Sequence, residues 1–185
     1  GVELYQQMLE EAVAAAREGL DFTKGDPIPD AWSPQINLGA SVLIPDHYVE
    51  DLSVRMSLYR RLTDLHEKND IESFAAELID RFGALPDEAN NLLQIVEIKQ
   101  LCKAATIDRV DAGPKGAVIG FYKDTPANVP ALMKWMQDKS GTVKFRPDQK
   151  LVAVRGWDNP AHCVQGVRSL VRELASFPPL PSGRG

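Results

Sequence analysis

Apolar positions along this chain recur with two periods, and the change from one to the other falls near Thr106. Ahead of it the spacing is helical. The start, GVELYQQMLEEAVAAAREG, sets Leu4, Met8, Leu9, Ala12 and Ala16 near one stripe and meets Gly19, predicting an amphipathic helix within residues 1–24. Three prolines in GDPIPDAWSP predict an extended linker over 25–34. A strand is expected in INLGASVLIP, closed by Pro45, and then a helix from Tyr48 to Leu65 with Val49, Leu52, Met56, Tyr59 and Leu62 on its apolar side. The clearest amphipathic pattern follows. Asp70 is placed to cap a helix whose Ile71, Phe74, Ala75, Leu78, Ile79 and Phe82 form the buried stripe, whose opposite face carries Ser73, Glu77, Asp80 and Arg81, and which stops at Gly83. Leu85 and Pro86 open another helix, PDEANNLLQIVEIKQLCKAA, with proline and acids in the first turn.

Beyond Thr106 the residues alternate. IDRV and AVIGFY flank the turn DAGPKG as a hairpin, TPANVPALMKWMQDK reads as a helix, and TVKFR and KLVAVR joined by PDQ form a second hairpin. A last helix, NPAHCVQGVRSLVRELAS, is capped by Asp158 or Asn159 with Pro160 at its first position, and the tail FPPLPSGRG, 177–185, is expected to be disordered. The fold class predicted is α+β: an α-rich N-terminal half, then a small antiparallel sheet from two hairpins with packed helices, the domain spanning 35–176.

Composition narrows the partners. A net charge of −5 and a pI near 5.2 speak against a broad electrostatic grip on nucleic acid or anionic lipid. Cys102 and Cys163 lie far apart without metal-ligand spacing, so a reducing cytoplasm is the expected home. No apolar run has membrane-spanning length, and the missing initiator Met suggests a piece of a longer protein.

Candidate chemistry is sparse. DAGPKG lacks the spacing of a phosphate loop and reads as a hairpin turn. His47, His66 and His162 are isolated, and Cys163 leaves its helix at a different angle from His162. Arg55, Arg60 and Arg61, with Tyr59, could contact phosphate, although pairing with acids of neighbouring helices is the stronger reading. Glu77 precedes Arg81 by four residues, the favourable order for an ion pair on a helix. Asp80 sits near a helix C-terminus, where its charge opposes the helix dipole, as can happen on a surface that a partner reads. An exposed helix face offers no desolvation for an acid–base pair, so a contact face is expected there.

Taken together, VELYQQMLEEAV, ASVLIPDHYVEDLSVRMSLYRRL, AAELIDRFGALPDEANNLLQIVEIKQL and IDRVDAGPKGAVIGF resemble the C-terminal part of the bacterial transcription-repair coupling factors, the Mfd family. The resemblance covers nearly the whole chain and is most specific in I-P-x-x-Y, R-x-S-L-Y-R-R-L and E-L-I-D-R-F-G-x-L-P. It implies a regulatory domain without chemistry of its own, with no cofactor in this piece, the ATP and Mg belonging to a double-stranded DNA translocase motor upstream. In that family the parent removes stalled RNA polymerase and recruits UvrA, and its C-terminal domain packs on a UvrB-like N-terminal module, covers the UvrA-binding surface and restrains the motor. The resemblance makes Glu77, Asp80 and Arg81 candidates for that docking surface, and residues 1–19 and the Pro-rich stretch similar to the segment and linker that follow the motor. An accessory nucleic-acid-binding module using Arg55, Arg60 and Arg61 is the alternative.

Overall fold

A computed structural model describes residues 32–180. The expected helix within 1–24, the linker up to residue 31 and the tail from 181 lie outside the described residues. The chain packs as two compact units, one holding residues 40–100 and the other residues 34–39 with 101 onward.

The first unit is helical. Ala40, Val42 and Ile44 are buried at every second position, which is why they read as a strand, yet residues 40–45 join no sheet. The Ile44 amide instead donates to the Tyr59 hydroxyl at 2.7 Å, and the Leu43 amide to the Glu88 carbonyl at 3.4 Å, so helices satisfy this backbone. Helix α1, Leu52–Leu62, is shorter than expected because Asp51 caps it, accepting from the Val54 amide at 3.0 Å. Helix α2, Lys68–Phe82, is capped by Glu67 and so begins three residues earlier than expected. Asp70 is therefore not its cap but the third helical residue, accepting from the amides of His66 and Glu67 at 3.1 and 3.0 Å. It ends at Gly83, whose φ of 96° favours glycine. Helix α3, Asp87–Ala104, starts behind Pro86 and buries Leu92, Leu93, Ile95 and Ile98 in its first-unit portion, up to Gln100.

The second unit is built on a five-stranded sheet ordered β1-β2-β3-β5-β4, with β1 Gln35–Asn37, β2 Ile107–Gly113, β3 Gly116–Phe121, β4 Val143–Phe145 and β5 Lys150–Val154. Both expected hairpins are present, giving the α+β class. The sheet is mixed, since β1 adds to β2 in parallel. Ile36, Val110, Ile119 and Leu151 stand in register across four strands on the buried face. Among the described residues two α-helices lie wholly in this unit: α4, Val129–Asp138, which buries Leu132 and Trp135, and α5, Pro160–Ala175. Helix α5 buries Cys163, Val164, Val167, Leu170, Val171 and Leu174, and its cap is Asn159, which accepts from the His162 amide at 2.9 Å. Gly166 lets the Trp157 indole lie on α5; a Cβ there would fall 2.1 Å from the ring nitrogen.

Candidate interaction face on helix α2

The three motifs that mark the first unit meet at α2. Tyr48, from I-P-x-x-Y, shares its hydroxyl proton between the Leu78 carbonyl at 3.1 Å and the Gly83 carbonyl at 2.7 Å, and its ring tilts against Phe82 with centroids 5.8 Å apart. It thus satisfies the Gly83 carbonyl just past the helix end and adds a second donor to the Leu78 carbonyl one turn inside it. Desolvation of this hydroxyl raises the Tyr48 pKa.

Arg61 and Glu77 connect α1 to α2. The guanidinium donates from both terminal nitrogens to both oxygens of Glu77 at 2.7 Å, while its carbon lies 4.9 Å from the centre of the Phe74 ring. Arg81 donates to the same carboxylate at 2.8 Å and stacks on Phe82 at 4.8 Å. Hydrogen bonds first from Arg61 and then from Arg81 lower the Glu77 pKa to about 2, and the bond to Glu77 raises that of Arg61. The favourable Glu77–Arg81 pairing is as expected, and Arg61 pairs with an acid of a neighbouring helix, the stronger of its two readings, although the sequence did not single out Glu77 as that acid.

Glu77 therefore does not point away from the fold. At about 100° per residue it stands about 60° from Phe74, on the flank that meets α1, whereas Asp80 stands nearly opposite Leu78 and Phe82. Asp80 is exposed and enters no ion pair among the described residues. Ile79 departs from expectation as well. It lies about 80° from the centre of the buried stripe and is 49% exposed instead of in the core. Ala76, Ile79, Asp80 and, past the helix end, Ala84 are all exposed, an apolar ridge with an acid beside it.

The three arginines divide. Arg55, considered a surface contact to phosphate, is 0% exposed, and its guanidinium donates to the carbonyls of Val49 and Glu50; burial lowers its pKa. That placement corrects the expectation: the side chain serves the turn leading into α1. Arg61 is held by Glu77, and Arg60 alone of the three is exposed and enters no ion pair among the described residues, too little cationic density for a phosphate-tracking surface. Among the described residues no three His, Cys, Asp or Glu side chains cluster as a metal site, and no helix is long and apolar enough to cross a membrane.

Comparison with known proteins sets this geometry in context. The TRCF domain family matches residues 38–132. The chain is 45% identical over 157 residues to a transcription-repair-coupling factor of Rickettsia prowazekii, and 30% identical over 174 residues to that of Escherichia coli K12. These alignments take in 84% and 94% of the chain but 13% and 15% of the relatives, so it spans about an eighth of their length. A crystal structure of the C-terminal domain of transcription-repair coupling factor shares the fold, with a TM-score of 0.63 at 18% identity over 78% of this chain and 92% of that one.

Proposed function

Since the chain belongs to the transcription-repair coupling factor family, we propose that it is the regulatory interaction domain of a longer coupling factor and has no catalytic step of its own. In this reading it docks on the parent's UvrB-like module, masks the surface that UvrA would bind, and restrains the ATP-driven DNA translocase until RNA polymerase is engaged. One observation carries it: the outer face of α2 presents Ile79 and Asp80 to solvent on a helix braced at both ends by Asp70 and Tyr48. A solvated isoleucine beside a carboxylate suits a contact with an apolar centre and a cationic rim. Glu77 and Arg81 contribute by holding that face in place, and Asp80 supplies the charge that a basic partner surface would meet.

The test is UvrA affinity of the full-length parent in three forms: wild type, lacking this domain, and carrying Ile79→Arg with Asp80→Lys. Deletion is expected to strengthen UvrA binding, and the double variant to strengthen it nearly as much while keeping the wild-type melting temperature. Deletion without effect on UvrA would sink the masking role. A folded double variant that behaves as wild type beside a tight-binding deletion would move the docking surface off α2.

A further inference from the structure

A second surface, independent of α2, lies on the sheet face turned away from the buried row. Across that face the register aligns Asn37, Asp111, Val118, Val152 and Lys144, one from each strand, with Val154 two residues along β5 and 55% exposed. Val118 and Val152 floor an open groove of about 390 Å³ walled by the β2–β3 turn, Gly113 to Gly116.

The wall is fixed. Its Lys115 carbonyl accepts from the Arg155 amide and its Pro114 carbonyl from the Trp157 amide, both at 2.9 Å. Gly116, at φ 134°, approaches β5 so closely that a Cβ would stand 2.0 Å from the Ala153 carbonyl oxygen. The charges round the groove are uneven. Asp111 is already occupied by Arg109 at 2.8 Å and Asn37 at 2.7 Å, whereas Lys115 on the rim and Lys144 beside Val152 enter no ion pair among the described residues.

We propose that this groove receives an extended peptide segment of a partner protein, carrying apolar side chains that fill it and carboxylates that reach Lys115 and Lys144. The valine floor suits apolar side chains, and complementary charge at the rim selects the sign of the partner. The observations favour a peptide over other macromolecules. The valine floor offers no aromatic platform on which bases would stack, and two lysines are too few to grip an anionic bilayer.

The test uses the full 185-residue chain, labelled for amide NMR, titrated to about 2 mM with a capped peptide alternating leucine and glutamate. Saturable shifts are expected at Val118, Val152 and Lys144, with a Kd on the order of 100 µM, as suits a small contact. The same peptide with lysine for glutamate should bind at least tenfold more weakly, and so should the acidic peptide to a Lys144→Glu chain. Val152→Glu should abolish the shifts; Lys144→Glu, at a solvated position, keeps the test decisive if Val152→Glu fails to fold. Absence of saturable shifts, equal binding of the lysine peptide, or unchanged binding by Lys144→Glu overturns the proposal. So does a shift of these amides by phosphatidylserine vesicles or a thymidine oligonucleotide but not by the acidic peptide.

Discussion

The flank of α2 and its outer face carry the same kind of residue three positions apart and use it in opposite ways. On the flank, Glu77 is gripped by two arginines, each lying on an aromatic ring, and its side chain retains 34% exposure. On the outer face Asp80 has water round it and Ile79 for a neighbour. A carboxylate on a helix is thus informative only with its angle relative to the next helix, and about 60° separates a brace from a contact.

The comparison can be broken most forcefully from the inner face. Leu78 is buried, and Leu78→Ala should cost about 2 to 5 kcal/mol in urea or thermal unfolding. An unchanged melting temperature would undo the face assignment on which both other faces depend. Next comes the flank. Glu77→Lys removes both ion pairs and adds a third cation beside Arg61 and Arg81, for an expected loss of about 1 to 2 kcal/mol. If instead the variant is as stable as wild type, the flank is solvated and Glu77 is available to a partner after all.

Acid sharpens the same point at smaller scale. The Glu77 pKa is depressed in the fold from 4.5 to about 2, so its contribution is fully present above pH 4.5 and is lost as the pH falls through about 2. The stability gap between wild type and Glu77→Gln should be at most about 1 kcal/mol near neutrality, given the exposure of the pair, and should close between pH 4.5 and 2. A gap that persists at pH 2 would assign it to packing instead of charge. The smallest effect is expected on the outer face, where Asp80→Ala should change stability by less than about 0.5 kcal/mol. A larger loss would give Asp80 a structural partner.

Period and punctuation made the α+β class legible, since α1, α2, α4 and α5 each bury one stripe and the hairpins alternate, whereas α3 buries apolar residues on opposite sides. Proline at the starts of α4 and α5 and glycine past α2 marked boundaries to within a few residues. What escaped is non-local. Ala40 to Ile44 alternate like a strand, but their hydrogen-bond partners are Tyr59 and Glu88, which no local pattern names. Arg55 stands at helical spacing from Leu58, Tyr59 and Leu62, on the buried side of α1, and carbonyls on the turn before the helix accept from its guanidinium. β1 is three residues long, too short to announce a parallel pairing with residues 74 positions away. Of the candidate site, Asp80 was readable from periodicity, Glu77 was half readable through Arg81, and Ile79 was misplaced because its angle lies at the border between buried and solvated.

The hydroxyl of Tyr48 ties the last turn of α2 to the segment before α1, and this has a kinetic side. Leu78 lends its carbonyl both to the helix and to Tyr48, so the final turn cannot unravel without the phenol letting go. Amide hydrogen exchange in residues 79–83 should then be governed by an opening event that includes residue 48, far away in sequence. Tyr48→Phe would uncouple the two, leaving the ring packed and the turn free to fray, and any partner gripping Ile79 would be holding a loose end.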